Sequence, residues 1–134
     1  MAKVKIVPHF TLTDNSADVL QRLHDLVTTL TLDDPTIRKF YVGIASGPDH
    51  EFALNRRYDK KKEDWGINEM IAIHRSRHQP LCRFAEGCIE QYFRRHHGEM
   101  IINETGGGGG RNSNQDWHFI YLAVRRVGKQ KPAR

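Results

Sequence analysis

The chain has 134 residues, of which 38% are hydrophobic and 28% are charged, and its formal net charge is +5 with a pI of about 9.4. This length and composition suit one globular domain and argue against extensive disorder. No apolar run approaches the roughly 20 residues that cross a bilayer, and the N-terminus lacks a signal-peptide core. We therefore expect a cytoplasmic protein with no membrane partner, whose basic charge favours nucleic acid as its partner.

Apolar periodicity and turn residues predict alternating strands and helices. Pro8 would confine the first strand to a sheet edge, and Pro80 suits the first turn of the last helix. The predicted strands span residues 4–12, 39–45, 67–74 and 117–126, and the predicted helices span 17–30, 51–62 and 80–97. This order predicts an α+β or α/β domain with a small sheet over residues 1–127, followed by a basic tail at 128–134.

The two cysteines, Cys82 and Cys88, are too few for a disulfide framework. Both fall in the helix predicted at 80–97, where a bond between them would be geometrically unfavourable. We expect two buried thiols, as is usual for free cysteine.

Four motifs carry candidate chemistry, and their order along the chain is informative. Tyr41-Val42-Gly43 lies in a predicted strand, Arg57 in the next helix, Glu86 in the last helix and Asn103 before a glycine-rich loop. In this order, and with these elements beneath them, the motifs resemble those of the GIY-YIG nuclease family. The resemblance covers about half of the chain.

The resemblance implies an α+β fold with a small, mostly antiparallel sheet flanked by about three helices. It also implies a metal-dependent endonuclease that cuts phosphodiester bonds, with DNA the favoured substrate. In such a site Glu86 would anchor Mg²⁺ or Mn²⁺, Arg57 would meet the charge that grows on phosphate, and Tyr41 would position the attacking water. Nucleic-acid contacts would come from Arg56, Lys61 and Asn103.

Two glutamates compete for the metal role. Glu86 is followed at helical spacing by Ile89 and Phe93 and therefore borders the apolar stripe, whereas Glu90 is expected on the opposite face. We favour Glu86 for this reason. In the alternative interpretation both are solvated carboxylates paired with neighbouring arginines such as Arg83, Arg94 or Arg95.

The chain departs from the family pattern just before Phe40, where the first signature tripeptide is missing, and the spacing from Gly43 to Arg57 is longer than usual. The predicted C-terminal strand contains Ile120-Tyr121, which resembles the end of that tripeptide. We therefore predict that this strand pairs with the Tyr41 strand and delivers Tyr121 towards Arg57 and Glu86, as in a circularly permuted fold. In the alternative, Tyr121 is a packing aromatic.

Three other interpretations remain open. A zinc site could use His74, His78 and Cys82, although Pro80 interrupts the helix that would align them. The distributed arginines and lysines, including Arg75 and Arg77, suit a non-catalytic nucleic-acid-binding module. The third is a protein-interaction domain. The run Gly106–Gly110 could cradle phosphate or act as a linker.

Overall fold

The structure is a computed structural model that describes residues 5–8, 16–65, 67–102 and 117–127. The predicted alternation of four strands and three helices is confirmed. The elements are β1 (Lys5–Pro8), α1 (Ser16–Val27) followed by a π-helical turn (Thr28–Leu32), β2 (Ile37–Gly47), α2 (His50–Trp65), β3 (Glu69–Ser76), α3 (Gln79–His96) and β4 (Trp117–Arg126).

The described strands form one sheet in the order β1-β3-β4-β2. Strand β4 is antiparallel to both β2 and β3, and only β1 is parallel to its neighbour β3. The expected α+β fold with a small, mostly antiparallel sheet is therefore confirmed. Strand β1 ends in Pro8 and lies at an edge of the described sheet, where the missing backbone N–H costs no ladder bond.

Side chains alternate between the two faces of the sheet, and each face has its own helices. One face, the α1/α3 face, buries alternate strand residues such as Val42, Ile120 and Leu122 against α1 and α3. The other, the α2 face, buries Ala45 and Phe119 against α2. Because the side-chain period of a strand is two, each strand residue is assigned to one of these faces by its register alone.

Helix α3 has local signals at both ends. Pro80 lies in its first turn, and the His78 side chain accepts a hydrogen bond from the Leu81 backbone N–H at 3.3 Å. Three basic residues, Arg94, Arg95 and His96, occupy the last turn, where positive charge is favoured by the helix dipole. After the helix the chain returns along the outer edge of β2, where the Phe40 N–H donates to Met100 O and the Ile102 N–H donates to Phe40 O.

The predicted burial of both cysteines is only half right. Cys82 is fully buried on α3, and its thiol donates to the His118 carbonyl at 3.5 Å. Cys88 is half-buried, and both thiols are free. The two differ because Cys82 belongs to the stripe that contacts the sheet, while Cys88 lies on the flank of the helix beside the exposed Phe84 and Tyr92.

Candidate active site

The candidate site begins with the pairing of β2 and β4. Gly43 lies opposite Tyr121 and Tyr41 lies opposite Ala123, so both tyrosines project from the α2 face. Tyr121 is buried and Tyr41 is half-buried, with ring centroids 6.2 Å apart. The predicted adjacency of the C-terminal strand and the Tyr41 strand is confirmed, while a catalytic role for Tyr121 stays a prediction.

Gly43 makes the approach of the two tyrosines possible. A Cβ atom at this position would lie 2.7 Å from the Tyr121 hydroxyl oxygen and 2.8 Å from Tyr41 Cε1. The Tyr121 ring therefore extends over β2 at the point where the strand carries no side chain. In the motif Tyr41-Val42-Gly43, the sequence predicts a role for Tyr41 and none for the glycine itself. The available signal was a glycine inside an apolar strand, which marks a close approach.

Arg57 reaches the same face from α2. Ala53 and Leu54 of this helix are buried against the sheet, and Arg57 follows Ala53 by one turn, so it lies on the same side of the helix. Arg57 is half-buried, whereas its neighbour Arg56 is exposed.

The other predicted site residues, Tyr41, Arg57 and Glu86, each influence the Tyr121 hydroxyl electrostatically. Burial raises its pKa well above the ordinary value, Tyr41 raises it further, the Arg57 guanidinium lowers it and the Glu86 carboxylate raises it. The phenol therefore stays protonated at neutral pH, where it can donate a hydrogen bond but does not serve as a ready base. Tyr41 and Arg57 thus lie on the α2 face with Tyr121, whereas Glu86 influences Tyr121 electrostatically from α3, which packs on the other face of the sheet.

Glu86 is a buried carboxyl on α3, only 3% exposed, and its Oε2 atom has no hydrogen-bond partner among the residues that the structure describes. Burial raises its pKa from 4.5 to about 7, and the Glu90 charge adds to this shift while the Arg83 charge opposes it. A buried polar atom without a partner is uncommon in proteins because it forfeits the hydrogen bonds of water. Perturbed carboxyls of this kind are concentrated at functional sites.

The expectation that Glu90 lies on the opposite, solvated face of α3 is wrong. Glu90 is 1% exposed, and its Oε2 forms an ion pair with Arg94 Nε at 3.1 Å, without the alignment of a hydrogen bond. Burial raises its pKa and the Arg94 charge lowers it. Residues four apart share a helix face, so Glu86 and Glu90 are buried together. The apolar stripe in the sequence does not show that polar positions of α3, such as Glu90, are also buried.

Glu86 has the ligand chemistry for one divalent cation, but its carboxyl is only 3% exposed, so a hydrated ion would reach it only after the side chain turns towards solvent. A carboxylate oxygen is the ligand that Mg²⁺ prefers, and this ion keeps most of its waters, so one protein ligand suffices to anchor it. The unpartnered Oε2 supplies such an oxygen. Within the described ranges no group of three or more His, Cys, Asp or Glu residues could hold a metal ion.

The three residues considered for a zinc site, His74, His78 and Cys82, have structural roles in the fold. His78 accepts the N-terminal N–H bond of α3, Cys82 donates to the His118 carbonyl, and His74 is buried in β3. Burial also raises the pKa of the Cys82 thiol to about 12, which opposes the thiolate that a zinc ligand requires.

Two of the predicted nucleic-acid contacts, Arg56 and Lys61, lie on α2. Arg56 is exposed on α2, with its guanidinium 5.6 Å from the Phe52 ring centroid. Asn103 and Gly106–Gly110 lie outside the described residues, although Ile102, immediately before Asn103, is hydrogen-bonded to Phe40 beside Tyr41.

Comparisons with known protein families, with curated proteins and with solved structures find no significant match to this chain. Among the described helices none is long and apolar enough to cross a membrane.

Proposed function

We propose that this protein is a metal-dependent endonuclease that hydrolyses phosphodiester bonds in nucleic acid, with DNA as the favoured substrate. One observation carries the proposal: the charges of Arg57 and Glu86 both act on the hydroxyl of Tyr121, which packs beside Tyr41. A cation, a carboxylate and phenols are the groups that phosphoryl transfer requires, and here the carboxylate comes from α3, which packs on the opposite face of the sheet from α2.

The proposed substrate agrees with the charge of the chain. Its net charge of +5 favours a polyanion. Many of its arginines are exposed and can meet phosphates on several sides of the domain. These are Arg22, Arg38, Arg56, Arg75, Arg77, Arg83, Arg95 and Arg125.

Each group in the site has a role that follows from its chemistry. The Arg57 guanidinium would hold two phosphoryl oxygens and stabilise the charge that grows on them. Tyr121, protonated and buried, would donate a hydrogen bond to such an oxygen. Tyr41 is the more exposed phenol and would orient the attacking water.

Glu86 would hold Mg²⁺ or Mn²⁺ through its unpartnered oxygen. When bound, the cation supplies positive charge against the phosphate and lowers the pKa of bound water. With a pKa of about 7, Glu86 is half-ionised at neutral pH. Occupancy by a cation would favour the ionised form and provide the partner that the buried carboxylate lacks.

The proposal is tested with the purified chain on supercoiled plasmid DNA and on single-stranded circular DNA, each in Mg²⁺, in Mn²⁺ and in EDTA. We expect nicking or cutting with either metal and none in EDTA. Glu86→Gln should abolish cleavage while leaving DNA binding intact, because the neutral amide keeps the shape but loses the charge. Arg57→Ala should lower the rate by about 10²-fold or more, as for loss of one charge-stabilising donor.

Matched controls separate the site from general charge effects. Glu51→Gln, at an exposed position on α2, should leave the cleavage rate nearly unchanged, and Arg22→Ala, at an exposed position on α1, should lower it far less than Arg57→Ala does. Glu90→Gln tests the second buried carboxyl. If Glu90→Gln abolishes cleavage and Glu86→Gln does not, the metal role belongs to Glu90. If the chain cuts no polynucleotide with any metal, the nuclease proposal fails.

The second candidate is a non-catalytic nucleic-acid-binding module, and the exposed arginines favour it equally. Such a module would bind DNA without cleavage. The logarithm of its affinity would fall linearly with the logarithm of salt concentration, with a slope of about −0.9 per neutralised phosphate on duplex DNA. Binding in EDTA followed by cleavage on addition of Mg²⁺ would exclude it.

A further inference from the structure

Two aromatic side chains, Phe52 and Trp117, both neighbour Gly47 at the end of the sheet where β2 stops and β4 begins. Gly47 is paired with Trp117 across the ladder, and the Trp117 side chain lies on the α2 face. A Cβ atom at Gly47 would lie 2.8 Å from Cδ1 of Phe52, in the first turn of α2. The Phe52 ring therefore occupies the space above Gly47, directly beside the position of Trp117 on the neighbouring strand.

Arginines lie over both rings. The guanidinium carbon of Arg77 is 4.4 Å from the Trp117 ring centroid, and that of Arg75 is 5.1 Å away. Arg56, one turn after Phe52 on α2, lies 5.6 Å from the Phe52 centroid. Guanidinium groups at these distances attract the ring faces and present their own planes for further stacking.

These groups are accessible. Phe52 is 47% exposed, Trp117 is half-buried, and Arg56, Arg75 and Arg77 are exposed. A ligand that covers them must offer flat aromatic surface for the rings and negative charge for the cations. Nucleobases on a phosphate backbone have both properties, and proteins that bind single strands combine aromatic stacking with a basic surface.

The location connects this surface to the candidate active site. Trp117 and Tyr121 lie on the same face of β4, four residues apart, which is about 13 Å along a strand. On α2, Arg56 of the aromatic surface directly precedes Arg57 of the site.

We propose that Phe52, Arg56, Arg75, Arg77 and Trp117 form a stacking surface that binds single-stranded nucleic acid next to the candidate active site. The inference rests on the proposed nuclease function for its biological use and specifies the substrate class as unpaired strands. Duplex DNA is a poor ligand for this surface, because its base faces are already stacked on one another and cannot be reached without unstacking them.

The test measures binding of a short fluorescein-labelled oligodeoxythymidylate by anisotropy in EDTA, where no cleavage is needed. Phe52→Ala and Arg77→Ala should each weaken the affinity by roughly 5- to 150-fold, as loss of one stacking contact does. The matched controls are Phe84→Ala, which removes an exposed phenylalanine from α3, and Arg22→Ala, which removes an exposed arginine from α1. Phe84→Ala should bind like the parent chain, and Arg22→Ala, which removes one exposed charge and no ring contact, should weaken the affinity much less than Arg77→Ala does.

A second readout locates the bound bases directly. The chain has two tryptophans, so in a Trp65→Phe background the emission comes from Trp117 alone, and stacking of bases should quench it. If Phe52→Ala and Arg77→Ala bind as tightly as the controls, or if the oligonucleotide binds without changing Trp117 emission, the stacking surface is refuted. Aromatic-dependent binding without any metal-dependent cleavage would refute the nuclease proposal alone, and cleavage of single strands that is indifferent to Phe52→Ala would refute the surface alone.

Discussion

Gly43 and Tyr121 face each other across the β2–β4 ladder, and the Tyr121 hydroxyl oxygen would lie 2.7 Å from a Cβ atom built on Gly43. The absence of a side chain at Gly43 is therefore what allows a buried tyrosine to extend over the edge strand. The same glycine gives Tyr41 its place, because Tyr41 Cε1 would lie 2.8 Å from that Cβ.

Gly43→Ala should therefore destabilise the chain and displace Tyr121. Tyr121 is only 2% exposed and has little room to move, so the added methyl overpacks the region at a cost of about 1–3 kcal/mol in the free energy of unfolding. Gly87→Ala is the matched control, because a Cβ at that α3 position meets nothing within 4 Å. The control should stabilise the helix by about 0.5–1 kcal/mol. Equal denaturation midpoints for the two variants would contradict this account of Gly43.

Glu86 should make the metal-free chain less stable as the pH rises. In the unfolded chain its carboxyl ionises near 4.5, whereas burial raises the folded pKa to about 7. Between these values the folded chain holds the additional proton, so stability is full below 4.5 and falls as the pH rises through 7. Glu86→Gln cannot ionise and should be more stable than the parent at pH 8 by about 3 kcal/mol at most.

Denaturation in urea and EDTA at pH 4.5 and pH 8 measures this difference. The two chains should have the same stability at the lower pH and diverge at the higher. Glu51→Gln, at an exposed position on α2, is the control and should show no divergence. A parent chain as stable as Glu86→Gln at pH 8 would mean that Glu86 ionises without penalty. If the parent chain is less stable than Glu86→Gln at pH 8, as expected, adding Mg²⁺ in place of EDTA should raise the stability of the parent chain and leave that of the variant unchanged.

Arg126→Ala should destabilise the chain much more than Arg125→Ala. Arg126 bonds to Glu69 Oε1 and Asp34 Oδ2, each at 2.7 Å, and so joins the end of β4 to β3 and to the turn before β2. The substitution leaves the buried Glu69 carboxylate without this cation. Because Arg126 itself is only half-buried, we expect the free energy of unfolding to fall by about 2 kcal/mol. Arg125 is exposed. Thermal or urea unfolding of both variants checks the difference, and similar losses in the two would refute the network's importance.

The two thiols should react at very different rates. Cys82 is fully buried and burial raises its pKa to about 12, so almost none of it is thiolate at pH 8. Cys88 is half-buried and reachable. Mass spectrometry of the native chain after iodoacetamide treatment should find the adduct on Cys88, and Cys82 should react only in denaturant. Similar native labelling of both would contradict the buried position of Cys82.

Local pattern was enough to predict the elements of this fold. The C-terminal strand was predicted with the bounds that β4 has, Trp117–Arg126, because its β-forming residues and their alternation are encoded within the segment itself. The end of α2 was predicted near Lys62, whereas the helix continues to Trp65. Helix ends are less certain because capping and fraying depend on small free energies.

The candidate site depends on contacts between segments that are distant in sequence. The pairing of β4 with β2 was predicted because Ile120-Tyr121 resembles the end of a signature tripeptide, whereas the register that sets Gly43 opposite Tyr121 is known only from the ladder. The burial of Glu90 was predicted wrongly, because a helical wheel registers apolar residues and does not show what covers the rest of α3. No local pattern in the sequence predicts that Phe52 and Trp117 lie near the same glycine. Side-chain periodicity is a property of one segment, whereas burial and electrostatic contact belong to pairs of segments, and so only the tertiary structure decided them.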